Sequence, residues 1–310
     1  MPTVGPARVA RLLASLATAG GDFETIVVDN GTGSADLDRA AGALDDAEVL
    51  RLDSNLGYSR AVNVAAGRAQ GEVFVLLNDD SVVDPGYVEA IGKALDPARG
   101  VVMAAGVMRD TGSPGLIETA GVELDQTLLG WDYLNGEPVG VLEGPVADPA
   151  GPSGAAAAFW AEAFREAGGF DEGLFAYLED IDLILRLRRA GGTCRLAKEA
   201  RGLHEHSATL GPGSARKDYL AGYGRGYLLR KWGVLSARRL PGVLARELAI
   251  CAGQAAADRN LAGVRGRVRG YRAALRSEAY PAGVVPDPPS LAAMVGHRVR
   301  RRKTLRRRSE

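Results

Sequence analysis

Cysteine is nearly missing from this chain. Its 310 residues include two, Cys194 and Cys251, and neither belongs to a C-x-x-C pair. That excludes a zinc-ribbon spacing and a disulfide framework, and it leads us to expect a reducing, cytoplasmic setting. Histidine is also scarce, with three residues, so any that share a face carry information. No apolar run reaches the roughly 18 residues that a membrane-crossing helix requires. The first residues lack the basic-then-apolar layout of a signal peptide. No G-x-G-x-x-G follows a strand-like run and no G-x-x-x-x-G-K-[ST] occurs, which counts against dinucleotide dehydrogenases and P-loop enzymes.

What is present suffices for a real core: 46% of residues are hydrophobic and 25% are charged. The length suits one large domain or two smaller ones. A formal net charge of zero conceals a division. From Ala215 onward 22 Lys and Arg face 6 Asp and Glu, a net of +16, so residues 1–214 carry −16. An acidic half suits a metal-dependent site, and a basic half suits an anionic partner.

The most informative stretch is Glu72 to Ser81, EVFVLLNDDS. Val73 to Leu77 is apolar on both faces and β-prone, as a strand covered on both sides of a parallel sheet reads. It stops on Asp79 and Asp80. Ligands of open α/β sheets bind beyond the carboxyl ends of strands, where an acid pair can hold a divalent cation. The same residues also read as a strand followed by a turn.

Around it, strand-like and helix-like runs alternate. Thr25–Asp29, Glu48–Leu52 and Val101–Met108 read as strands. Arg8–Ala19, Leu37–Leu44, Tyr58–Ala69 and Pro85–Leu95 read as helices. This rhythm predicts an α/β fold with a mostly parallel twisted sheet flanked by helices. Further helices are expected over Glu162–Ala167 and Glu179–Ala190, and strands over Thr193–Ala197 and Arg201–His206.

Three groups could carry chemistry. Asp29, Asp79 and Asp80 end strands and converge on one crevice, although Asp29 could equally cap a helix. Glu179, Asp180 and Asp182 open a helix. Asp182 can pair with Arg186 four residues on, and Asp180 is expected to stay ionised at the helix N-terminus, as a general base must. His204 and His206 share one face of a strand and could ligate metal.

Taken together these residues resemble bacterial glycosyltransferase family 2, of the GT-A fold, and specifically its rhamnosyltransferase-like members. The matching segments are IVVDNGTGS (26–34), NLGYSRAVNVAAGRAQGEVFVLLNDDS (55–81), GPSGAAAAFW (151–160) and GGFDEGLFAYLEDIDLILRLRRAGG (168–192). LHEHSAT (203–209) and YGRGYLLRKWG (223–233) continue the order. The resemblance spans roughly residues 3–233. It implies a nucleotide-diphospho-sugar donor, a glycan or lipid-linked acceptor, and a divalent cation, Mg2+ or Mn2+.

Residue by residue, the resemblance implies donor contacts from Thr3, Asp29, Asn55, Gly57, Asn63, Asp79 and Gly154. It implies metal ligation by Asp80 and His204, with His206 as the alternative histidine. Asp180 matches the catalytic base, Glu179 its neighbour in the acceptor site, and Phe170, Asp171 and Glu172 the loop near the acceptor. Two departures stand out. Met1–Gly5 reads as the end of an opening strand most of which is absent, and Arg225-Gly226 stands where the family tends to place Arg-Asn.

The expected organisation is a catalytic domain over 1–214, a helical basic region over 215–281, and a Pro-rich, then basic, disordered tail over 282–310. Eight basic residues between Arg298 and Arg308 suit peripheral contact with anionic lipid at the inner face of the cell membrane. Nucleic acid fits less well, because no aromatic platform accompanies the arginines. The leading expectation is a metal-dependent inverting glycosyltransferase acting in cell-wall or surface polysaccharide synthesis. A non-catalytic binder of nucleotide sugar or glycan is the alternative. A nucleotidyltransferase would need an early Gly-rich phosphate loop with a basic residue, and none is visible.

Overall fold

The computed structural model describes residues 2–3, 5–42, 44, 47–205, 214–235, 240–277 and 279–280. His206 and the 282–310 tail lie outside the described residues. The chain runs β1 (Pro2–Thr3), α1 (Pro6–Leu16), β2 (Thr25–Asn30), α2 (Asp36–Ala41), β3 (Ala47–Leu52), α3 (Tyr58–Arg68), β4 (Val73–Leu77), β5 (Ser81–Val83), α4 (Tyr87–Lys93), β6 (Val101–Asp110) and β7 (Ser113–Thr119). It continues through β8 (Val122–Leu124), β9 (Gly130–Asp132), β10 (Ala156–Trp160), α5 (Ala161–Glu166), α6 (Glu179–Arg189), β11 (Thr193–His204), α7 (Ala215–Lys231), α8 (Leu240–Asp258) and α9 (Ala262–Ala273). The two strands expected between Thr193 and His206 are one, β11, with a register shift between Leu196 and Arg201.

The strands form two principal sheets. The smaller, β1-β2-β3, is parallel throughout. The larger has the order β4-β10-β6-β11-β5, with β7 on β6. There β10 runs antiparallel between β4 and β6, while β6 and β11 are parallel. Of β1, Pro2 and Thr3 pair with Val28 and Asp29. Between β2 and β4 lies an apolar cavity of about 430 Å³ lined by Ile26, Val62, Ala66, Phe74 and Leu76. Asp22, Glu24, Glu72 and Glu89 also border it, and it stands apart from the strand-end acids Asp79 and Asp80.

Helices join the two sheets. On one side Val9, Leu12, Leu13 and Leu16 of α1 pack with Val27, Leu77 and Tyr87. On the other, α3 and Phe164 of α5 meet Phe74 and Phe159, and α6 adds Ile181, Leu183, Ile184, Leu185 and Leu187. The apolar spacing of α6 buries that face while its acids gather in the first turn, where the helix dipole favours them. Asp182 is fully buried and takes bonds from Arg186 Nε (2.8 Å), Lys231 Nζ (2.9 Å) and Trp232 Nε1 (3.0 Å). The pairing with Arg186 was legible in the i,i+4 spacing. The other two partners are the last residue of α7 and the one that follows it.

Helices α7 and α9 approach so closely that glycine is obligatory at the crossing. A Cβ on Gly226 would overlap the Arg267 carbonyl, and one on Gly266 the Tyr219 carbonyl. That explains the Gly226 departure: no longer side chain fits beneath α9. Arg225, beside it, is buried and bonds Glu247 of α8 through Nε at 2.8 Å, and Arg267 of α9 reaches the same carboxylate at 2.9 Å.

Candidate active site

A cavity of about 330 Å³ opens at the strand ends where the two sheets meet. Thr3, Asn30, Asn55, Gly57 and Tyr58 line one side, Asn78, Asp79 and Asp80 the floor, and Gly154, Ala155, Phe175, Ala176, Tyr177 and Glu179 the other side. Arg216 and Leu220 of α7 complete it.

The Gly57 backbone has φ +87°, and a Cβ there would collide with the Phe175 carbonyl. That carbonyl accepts from Tyr58 N–H at 2.6 Å, so the start of α3 and the loop before α6 hold each other. Asn55 Oδ1 accepts from Gly57 N–H at 2.9 Å, and Asn30 bridges Leu56 N–H and Gly57 O. Asp29 spends Oδ1 on the Thr32 amide (2.8 Å) and hydroxyl (2.6 Å), closing the turn after β2.

On the floor, Thr3 donates its hydroxyl to Asp79 Oδ2 at 2.6 Å, and Arg8 Nε lies 3.5 Å from Oδ1. Asp80 faces His204. The β11–β5 register places His204 opposite Ser81, next to the acid pair. Its Nε2 is 3.0 Å from Asp80 Oδ1 but off the line of a hydrogen bond, so that buried oxygen has none. Behind the ring, Glu118 of β7 holds Nδ1 at 2.8 Å. Burial alone would push the His204 imidazole down, but the carboxylates of Asp80 and Glu118 on either side carry it up to about 10.

This donor set fits a divalent cation. A buried carboxylate oxygen without a hydrogen bond stands beside an imidazole whose far nitrogen is held by a second carboxylate, the usual support for a metal-bound histidine. Among the described residues no group of three His, Cys, Asp or Glu side chains could hold a metal. Two protein ligands completed by phosphate or water oxygens is how Mg2+ and its relatives commonly bind with nucleotides.

Across the cavity, Asp180 Oδ1 accepts from its neighbour Ile181 N–H (2.8 Å) and Oδ2 from Gly154 N–H (3.3 Å). Gly154 O accepts from Tyr58 OH at 3.0 Å. The Asp180 carboxyl is raised, first of all by burial. At this helix N-terminus loss of solvent outweighs the two amides and the dipole. Glu179 is pushed up to about 8 by burial and then by Asp180, and its Oε2 is buried without a hydrogen bond. Tyr177 and Leu178, just before them, both have φ of +71°. Two consecutive side-chain-bearing residues in the left-handed region mark a strained entry to α6.

Thr3, Asn55, Gly57, Asp79, Asp80, Gly154 and Glu179 thus line one cavity. Other sequence candidates sit elsewhere. Phe170 is buried in the core, edge-on to Phe159 and Phe164. Asp171 receives Lys231 Nζ at 2.6 Å and Tyr227 OH at 3.0 Å, and burial is outweighed by Lys231, which holds its carboxyl low. Glu172 is 3.6 Å from Arg60. None of the three lines the cavity, because a Phe-Asp-Glu loop spends its aromatic on the core and its acids on local cations. Asn63 does not line it either; its amide clamps Phe170 N–H and O, each at 2.8 Å. Sequence reasoning missed Glu118, Tyr58, Asn30 and Arg216. Only Glu118 left a trace, as a lone acid in the strand-like run Leu116–Ala120.

Comparison with known proteins adds to this geometry. Glycosyl transferase family 2 matches residues 4–131, and Glycosyl transferase family group 2 matches residues 73–222. The protein y4gI of Sinorhizobium fredii, itself uncharacterized, is 30% identical over 208 residues, 62% of this chain and 22% of that protein. The pre-mycofactocin glycosyltransferase of Mycobacterium tuberculosis is 28% identical over 216 residues, 68% of this chain and 43% of the relative. The chain therefore spans less than half the length of these curated relatives. Among solved structures, GalNAc-T7 with UDP, GalNAc and Mn2+ superposes with a TM-score of 0.57 at 16% identity, over 74% of this chain and 46% of that one. The mannosyltransferase PcManGT from Pyrobaculum calidifontis, with GDP-Man and Mn2+, gives 0.52 at 15% identity over 96% and 77%. At such identities the likeness speaks for the fold, which is GT-A.

Proposed function

We infer that this chain is a family 2 glycosyltransferase, and from that premise we read the cavity as the place where a nucleotide-diphospho-sugar meets its acceptor. The observation that carries the reading is one juxtaposition. Asp80, with His204 3.0 Å away, lies on the floor of a cavity whose opposite side presents Glu179, with Asp180 beside it at the start of α6.

Asp80 and His204 are the residues that would hold a divalent cation, Mg2+ or Mn2+. The cation's chemistry there is charge neutralisation of the diphosphate leaving group. The chain's own part follows from its side chains. Asn30, Asn55 and the Gly57 backbone frame the nucleoside end; Asp79, fixed by Thr3, faces the sugar or ribose hydroxyls. Arg216 offers a cation toward the phosphates. Asp180, once ionised, takes the proton of an acceptor hydroxyl as that oxygen bonds to the anomeric carbon. The bond from that carbon to the diphosphate oxygen breaks on the opposite face, so one displacement inverts the anomeric centre.

The motif resemblance supports rhamnose or a similar hexose as the sugar, and a glycan or lipid-linked hydroxyl as the acceptor in cell-wall or surface polysaccharide synthesis. Holo structures of the two GT-A neighbours contain UDP in one case and GDP-Man in the other, each with Mn2+. Among the described residues no helix is long and apolar enough to cross a membrane.

The test is a thermal-shift screen of UDP-, GDP- and TDP-sugars with Mn2+ present, followed by proton NMR of the anomeric signal of any product. Stabilisation by one donor class and a product of inverted configuration support the reading. Donor binding with neither transfer nor hydrolysis would leave a non-catalytic sugar-nucleotide binder in its place.

A further inference from the structure

The outer faces of α8 and α9 carry a pattern for which the cavity has no use. On α8, Val243 is buried, Glu247 binds Arg225 and Arg267, and Arg246 reaches Asp125. The opposite face, running through Leu240, Leu244, Leu248 and Ala252, is exposed; Leu248 is 70% open to solvent. None of the three charged residues of α8 interrupts it: Arg246 and Glu247 are turned inward, and Asp258 is the last residue of the helix.

Helix α9 is oriented with equal clarity. Gly263, Gly266 and Gly270 are buried against α7, which turns the rest of the helix outward. Val264 and Val268 are exposed, and Arg265, Arg269 and Arg272 stand exposed beside them. Leu275 and Arg276 continue the two rows past the helix end. Helix α9 contains no acidic residue.

We propose that this α8–α9 face docks on an anionic lipid bilayer, with the leucines and valines entering the headgroup boundary and the arginine row meeting lipid phosphates. An exposed apolar row beside a basic row is the arrangement of helices that lie in a membrane surface. Charge complementarity selects this occupant. A second copy would set arginine row against arginine row, and a polyanionic nucleic acid would leave the uncharged α8 face uncovered. The docking itself stands whether or not the transferase reading holds.

Sedimentation of the full chain with phosphatidylcholine vesicles, with and without phosphatidylglycerol and without any sugar nucleotide, tests it. Binding should require phosphatidylglycerol and weaken as salt is added. Leu244→Glu with Leu248→Glu, and separately Arg265→Glu with Arg269→Glu, should each lower partitioning about tenfold or more at unchanged circular dichroism. If both double variants bind like the parent, lipid affinity belongs to the basic residues beyond 281 and the proposal fails. It fails equally if the parent ignores anionic vesicles, or if it forms a dimer that both double variants abolish.

Discussion

Glu118 and His204, 86 residues apart, meet at 2.8 Å through a carboxylate oxygen and Nδ1. The bond fixes the ring so that Nε2 faces Asp80, and both partners are almost fully buried. Removing Glu118 should leave the fold intact and loosen the ring. Glu118→Gln, which keeps a bond but loses the charge, is expected to weaken Mn2+ binding by about 10-fold to 100-fold, as losses behind a ligand histidine do. Titration calorimetry with Mn2+ and a nucleoside diphosphate reads it directly; unchanged affinity would show that Glu118 serves packing alone.

Asp180→Asn should retain donor affinity and lose transfer by about 10²- to 10⁴-fold, the range of a positioned general base. Single-turnover rates at saturating donor separate the two quantities. Near-normal turnover would remove Asp180 from the reaction.

Glu179 gives a stability signature with a defined sign. Its folded-state value of about 8 lies above the ordinary 4.5. The native protein therefore binds a proton that the unfolded chain releases between those values, and stability falls as pH rises through that window. Glu179→Gln is neutral throughout. We expect it to be more stable than the parent at pH about 9 and to lose most of that advantage near pH 5. Urea midpoints at the two pH values measure this, and a pH-independent difference contradicts it.

Asp182 joins α6 to α7 through Arg186, Lys231 and Trp232. Asp182→Ala strands Lys231, 4% exposed, beside one remaining carboxylate, Asp171. The expected cost is about 3–5 kcal/mol, as for a broken buried pair. Denaturant unfolding provides the figure, and a loss under about 1 kcal/mol, typical of exposed pairs, would mean the network is solvated.

Gly57→Ala places a Cβ against the Phe175 carbonyl at a φ of +87°. Strain of this kind costs roughly 1–3 kcal/mol and is relieved by moving the 175–178 loop. Donor affinity should drop together with the melting temperature; a drop in stability alone would mean that the loop does not touch the donor.

Local elements were legible because their signals are local. The Val73–Leu77 run became β4, and the acids opening Glu179–Arg189 fell in the first turn of α6. Asp80 and His204 could be suspected separately; their 3.0 Å approach depends on the β11–β5 register, which neither segment encodes alone. The use of Phe170 as core, of Asn63 as a backbone clamp and of Asp171 as a partner for Lys231 was hidden for a similar reason. A polar or aromatic residue in a motif looks the same whether it faces a ligand or a neighbouring helix. The rise of the Asp180 carboxyl was hidden too, because helix position is written in sequence and depth of burial is not.

The cavity between β2 and β4 has a mechanical consequence. Among the described residues no strand pairing stitches the β1-β2-β3 sheet to the β4 edge; Asn30 ends β2 and Asn55 follows β3, while Asp80 follows β4, and the cavity proposed to take the donor spans all three. A donor spanning the site would act as a cross-brace over that seam. Its binding energy would then appear as slowed amide exchange along β2 and β4, beyond the residues it touches, as the two sheets come to open together rather than one at a time.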